Sequence, residues 1–277
     1  MSAKYRVIKA LNHNVLYCLN NNKECILVGK GIGFGPKEGE DIEGSYKIEK
    51  VFYLSDENNK DRFDGLLKDV DKEIIGLTEE VITMISKEVN KELDEKIHIS
   101  LLDHVAFSVE RYKNKIDIRN PFLSEIKSLY EDEYVAAGKA LEMINNRLNT
   151  SLPIDEVGFI AMHIHAAINK IDVSRTALNT TIINEIINLL EEKIGRSIDK
   201  ESIEYVRLIT HIRFALNRAE RKMPIKNILL SSIKRKFKQS FTICKEIAKQ
   251  IEREYKISLP EDEIGYLAIH LESILLG

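Results

Sequence analysis

A chain of 277 residues exceeds the usual size of one domain, so two or three domains are expected. Hydrophobic residues at 44% and charged residues at 31% exclude a largely disordered chain, and apolar runs broken by Asp, Glu, Lys or His well short of about 18 residues exclude a membrane span. The net charge of −3 conceals a basic start: residues 1–37 hold Lys4, Arg6, Lys9, Lys23, Lys30 and Lys37 against the single acid Glu24, a surface that attracts polyanions.

The opening stretch "MSAKYRVIKALNHN" lacks the apolar core of a signal peptide, and Cys18, Cys25 and Cys244 show no CxxC spacing. Neither a disulfide framework nor a zinc knuckle is indicated, and a reducing, cytoplasmic compartment is expected. "YRVIKAL", "NVLYCL", "ECILVG" and "YKIEKVFYL" are short runs rich in Val, Ile, Tyr and Phe, separated by turn formers. Six of the 13 glycines (Gly29, Gly31, Gly33, Gly35, Gly39, Gly44) fall within 16 residues. Residues 1–57 are thus expected to form a small antiparallel all-β domain, with so little core that pairing with a second copy would stabilise it.

"SDENNKDRFDG" reads as a polar, turn-rich linker, and beyond it apolar residues recur at helical spacing, as in "EVITMISKEVNKEL". Within the helical part the phrase "LPIDEVGFIAMHI" at 152–164 returns as "LPEDEIGYLAIHL" at 259–271, an offset of 107. Residues 97–168 and 204–275 share 20 identities in 72 positions at that offset without a gap; chance gives roughly one in sixteen. The chain therefore carries two copies of an all-α helical-bundle domain, at 66–171 and 172–277.

The offset maps His104 onto His211 and His163 onto His270, whereas His13, His98 and His165 have no counterpart. A lone helical histidine is usually structural, but retention of both pairs while most other positions diverged points to a requirement, either of function or of a core imidazole that the shared fold demands. On a helix His104, Phe107 and Arg111 share a face, as do His211, Phe214 and Arg218, and an arginine fork suits phosphate oxygens. An ordinary surface arginine is an equal reading. Glu156, seven residues before His163 and on its stripe, either orients the His163 ring or favours the helix end.

HExxH is absent, and His163 with His165 two residues apart makes a poor chelate, so no metal, no cofactor and no catalytic residues are expected. GxSxG and Walker motifs are also missing, which makes an enzyme the weaker reading. An imidazole nitrogen can carry a phosphoryl group, and two such sites would form a switch.

The loop "GKGIGFGPKEG" does not satisfy GxGxxG and runs into Pro36. Joined to "NHN" at 12–14 it suits a nucleic acid: Asn amides read base edges, Lys30 meets phosphate, Phe34 stacks on a base and glycines admit close approach. A glycine-rich hairpin with a core phenylalanine is the alternative. The basic patch favours nucleic acid.

The β module with "NHNV" and "LVGKGIGF", followed by two helical repeats each ending in "LP.DE.G..A.H", resembles the BglG-type transcriptional antiterminators along the whole chain. "VGKGIGFG", "NPFLSEIKSLY" and "GFIAMHIHAAI" are most similar to the glucose-type branch. The resemblance implies a co-antiterminator RNA-binding domain and two regulation domains of the sugar phosphotransferase system. A homodimer would then bind a hairpin of leader mRNA and prevent an overlapping terminator from forming. It also implies RNA contacts at Asn14, Gly29, Lys30, Gly31 and Phe34. Phosphorylation would fall on His104 and His163, controlled by a sugar-specific EII permease, and on His211 and His270, with HPr as donor. Arg111 and Arg218 would support the phosphoryl groups. The family often has Arg at position 30; Lys keeps the charge without bidentate hydrogen bonding. Asp103 against Thr210 also separates the two copies. A phosphohistidine protein acting only through protein partners, a helical metallohydrolase and a DNA-binding activator are the rival classes.

Overall fold

A computed structural model describes residues 4–42, 47–117 and 119–276, so Gly44 and the first residue of "YKIEKVFYL" lie outside the described residues. β1 (Tyr5–Asn12), β2 (Val15–Asn20), β3 (Lys23–Val28), β4 (Asp41–Ile42) and β5 (Lys50–Tyr53) form one antiparallel sheet in the order β4-β1-β2-β3-β5. Asn20 pairs with Lys23, and Asn21 and Asn22 between them hold φ of 49° and 61°, the left-handed pair that a tight hairpin demands and that asparagine tolerates. β2 is buried at five of its six positions, because one face packs on Val7, Leu27 and Ile32 while the other turns Tyr17 toward the helices.

The expected linker is a correction. Residues from Glu57 to Asp69 form a helix, α1, capped by the Asp56 side chain, which accepts from Asn59 N at 3.1 Å. Glu95 accepts from the backbone N–H groups of Ser55 and Asp56, and Phe63 is fully buried with its ring edge-on to Tyr17 at 5.5 Å. One apolar anchor and two carboxylates at the N-terminus make a helix of a stretch whose composition reads as turn.

The remaining helices are α2 (Lys72–Val89), α3 (Ile97–Lys113), α4 (Leu123–Leu129), α5 (Glu131–Leu148), α6 (Asp155–Asn169), α7 (Val173–Ile194), α8 (Ile203–Arg221), α9 (Leu230–Lys236), α10 (Lys238–Tyr255) and α11 (Glu261–Leu276). The offset of 107 carries α4 onto α9 and α5 onto α10 residue for residue. The chain packs as two compact units, Met1–Pro121 with Tyr130–Val173, and Phe122–Leu129 with Ser174–Gly277. In the first, α2 lies on β1, β2 and β3 and on α3 and α5, and α6 packs on α3 and α5. In the second, α11 packs on α8, α9 and α10, and α4 packs on α8, where the buried Glu125 accepts from Lys200 Nζ at 2.7 Å and Tyr205 Oη at 3.1 Å. No helix among the described residues is long and apolar enough to cross a membrane.

Candidate functional site

α6 starts where its sequence says it should. Asp155 Oδ1 accepts from Asn120 N at 2.7 Å, and Asp262 Oδ1 from Asn227 N at 2.8 Å, so both copies of "LP.DE" fix an upstream loop through the aspartate of the phrase. The next residue turns inward. Glu156 is 1% exposed and accepts from His104 Nε2 at 2.7 Å, Ser108 Oγ at 3.1 Å and Arg111 Nη2 at 3.3 Å, all three on α3. The glutamate thus orients His104, across the helix pair, and not His163 on its own helix. His163 lies against His104 with ring centroids 5.0 Å apart, and its Nδ1 is 3.2 Å from Ser100 Oγ.

The second unit repeats the arrangement with different emphasis. His211 and His270 have centroids 5.1 Å apart, and the buried Glu263 receives a bidentate fork from Arg218, Nε to Oε1 at 2.6 Å and Nη2 to Oε2 at 2.8 Å. His211 Nε2 stands 3.5 Å from Glu263 Oε2, within ion-pair range but long for a hydrogen bond. Ala215 replaces Ser108, so one donor to the carboxylate is missing and the arginine takes its place. Burial works against ionisation of Glu263, but the Arg218 hydrogen bonds and His211 hold its pKa down at about 2.

Burial also pushes the His163 pKa down to about 3, with His104 adding to it, and the His270 pKa to about 4, with His211 and Arg207 adding. Both rings are therefore neutral at pH 7 and keep a lone pair. A carboxylate only accepts, so the Nε2 of His104 that faces Glu156 bears a hydrogen. Each site thus combines two imidazoles, a buried carboxylate and an arginine that could turn to a phosphoryl oxygen. Phe107 and Phe214, on the same faces, are 56% and 49% exposed.

In the β module the turn and the glycine loop are laced together. Gly29 N donates to Asn14 O at 2.9 Å, Gly33 N to His13 O at 2.9 Å, and Gly31 N to Asn14 Oδ1 at 2.8 Å. A Cβ on Gly33 would stand 2.0 Å from Asn12 O, and Gly31 holds φ of +74°, so both positions require glycine. Lys30 is exposed, and Phe34 is 68% exposed, which removes the core-phenylalanine alternative. Its ring stacks on His13 at 5.1 Å and 10°, an aromatic pair that residue types alone did not single out although "NHN" contained it. Two of the three unrepeated histidines make buried ion-pair contacts: His98 Nδ1 pairs with buried Glu79 at 2.6 Å, and His165 Nδ1 with Glu133 at 3.0 Å. Among the described residues no group of three or more His, Cys, Asp or Glu is placed to hold a metal ion.

The family model for the CAT RNA binding domain matches residues 5–61, and that for the PRD domain matches twice, at 79–167 and 184–274. Protein GlcT of Staphylococcus haemolyticus is 32% identical over 270 residues, covering 97% of this chain and 95% of its own length. Transcription antiterminator LicT of Bacillus subtilis is 34% identical over 275 residues, covering 98% and 99%. A crystal structure of GlcT CAT-PRDI is 43% identical and aligns with a TM-score of 0.52, covering 60% of this chain and 98% of that one.

Proposed function

The chain belongs to the BglG-type transcriptional antiterminators, built from a CAT RNA-binding domain and two PRD domains, and from that premise we propose that it binds a leader-mRNA hairpin as a homodimer in the cytoplasm, without enzymatic activity, and answers to histidine phosphorylation. Residues 1–57 are the RNA-binding domain, and 66–171 and 172–277 the two regulation domains. Asn14, Gly29, Lys30, Gly31 and Phe34 form the RNA contact, and the glucose-type relatives favour a glucose-type transport operon as target. The phosphoryl group arrives from HPr at His211 and His270 and, under control of a sugar permease, at His104 and His163.

The observation that carries the regulatory reading is the carboxylate–histidine–arginine constellation made twice, by His104, Glu156 and Arg111 and by His211, Glu263 and Arg218. A phosphoryl group adds about −1.5 to −2 charge. Placed on His104 it stands against the buried Glu156 carboxylate and competes for Arg111. One of the three must move, and a repacked α3–α6 face is the switch. His104→Asp, which mimics the charge, is expected to weaken binding of the full chain to its leader hairpin by about tenfold or more, while His104→Ala leaves it within about twofold. Equal affinities of the two variants in a gel-shift titration would refute the negative role of this site.

A further inference from the structure

The amide groups assigned to RNA are already occupied by this chain. On α2, Glu80 is only 12% exposed; its Oε1 accepts from Asn12 Nδ2 at 2.7 Å and its Oε2 from Asn14 Nδ2 at 3.0 Å. Both amide orientations are fixed from the other side, because Asn12 Oδ1 accepts from Asn14 N at 2.8 Å and Asn14 Oδ1 accepts from Gly31 N at 2.8 Å. The NH2 groups are therefore what Asn12 and Asn14 have left to offer, and one carboxylate takes both. Arg147 on α5 holds that carboxylate from behind, with Nη1 3.3 Å from Oε2 and Nη2 3.4 Å from Oε1, and reaches Glu73 at 3.0 Å.

Two further features belong to the same contact. Gly76, one helical turn before Glu80, lies so close to the turn that a Cβ there would stand 2.5 Å from Asn12 Cγ and Nδ2. The groove beside it, about 260 Å³, is lined by Asn14, Gly29 and Lys30 together with Glu49, Glu80 and Glu88. Lys87 lines the same groove and pairs with Glu49 at 2.7 Å, so Glu80 is the carboxylate there that faces the Asn12 and Asn14 amides.

We propose that Glu80 is an internal competitor for the RNA face: its carboxylate occupies the donors of Asn12 and Asn14 that an RNA acceptor would use, and hairpin binding requires this clasp to open. The inference rests on the reading of Asn14 and the glycine loop as RNA contacts. It adds that the docked arrangement of α2 on β1 and β2 is the state that does not bind. A clasp of two hydrogen bonds to a charged acceptor lowers apparent RNA affinity by the fraction of molecules in which it is open.

The test titrates a fluorescent leader-hairpin RNA, transcribed from upstream of the adjacent sugar-transport operon, with the full chain and its Glu80→Ala, Glu80→Gln, Gly76→Ala and Asn14→Ala variants. Asparagine-selective 15N spectra follow the side-chain amides of Asn12 and Asn14 in the absence of RNA. Gly76→Ala opens the clasp by steric contact with Asn12 while leaving the Glu80 carboxylate in place, and alanine favours the helix more than glycine does. Glu80→Ala and Gly76→Ala are expected to bind about tenfold more tightly than wild type, Glu80→Gln to lie between, and the two amide signals to shift in both opened variants. Unchanged affinity in both, with binding abolished by Asn14→Ala, overturns the clasp and leaves the RNA contact standing. Amide signals that do not move on losing Glu80 overturn it too. Shifted signals with no RNA binding by wild type or any opened variant overturn the RNA contact itself and the proposal with it.

Discussion

Neutral imidazoles at positions 163 and 270 give both helical repeats a common pH response. Unfolded, each ring takes a proton near pH 6.5; folded, burial holds His163 at about 3 and His270 at about 4. Between those values the unfolded chain binds protons that the native chain refuses, so stability is full above pH 6.5 and falls as pH drops toward 4. Glu263, held at about 2, loses its share only as pH falls below the ordinary carboxylate value, so its contribution is intact over the interval from pH 6.5 to 5. Thermal midpoints are expected to fall across that interval in wild type and to fall less in His163→Gln and His270→Gln, whose side chains never ionise. Parallel curves for wild type and both variants would contradict the burial-driven shift. These rings were legible in sequence because the chain writes them twice at one offset. The partner of Glu156 was not, since a seven-residue stripe on α6 puts it near His163, while the contact is set by how α3 crosses α6.

Strands β1 to β3 were readable almost to the residue because each combines branched and aromatic residues with a turn signal at its end. β4 was not, for two residues carry no pattern and pair with β1 only through Tyr5 and Arg6. α1 was misread for a related reason: its composition is polar, and its stability comes from Phe63 and from Glu95, more than 25 residues further on. The sheet also sets the chemistry of its cysteines. Cys18 and Cys25 face each other across β2 and β3, fully buried, and burial pushes both thiols up to about 12; Cys244 on α10 is pushed equally far by the same cause. Thiolate is the reactive form, so at pH 8 the native protein is expected to leave all three unlabelled by a small disulfide reagent over minutes, and denaturant to release three equivalents. Rapid native labelling of one thiol would place the corresponding element outside the folded core.

For the molecule as a whole, the distinction between an RNA-binding dimer and a signalling protein without RNA lies in salt. The exposed Lys30 belongs to a basic stretch in an otherwise acidic chain, and each cation that meets a phosphate releases counterions on binding. The logarithm of affinity then falls linearly with the logarithm of salt concentration, by roughly 0.7 to 0.9 per phosphate contacted. With Lys30 on a phosphate as proposed, Lys30→Ala removes one such contact per copy. A monomer on the hairpin loses about one unit of slope, and a homodimer using both copies loses about two. Asn14→Ala is expected to lower affinity with little change of slope, because an amide reads a base edge and releases no ion. Measured together between about 50 and 200 mM salt, the two variants separate positioning from reading and count the copies of the β module on one RNA. A slope indifferent to Lys30 would move the polyanion contact to the cations near the N-terminus, Lys4, Arg6 and Lys9, on the edge-proximal strand β1 and the residue before it.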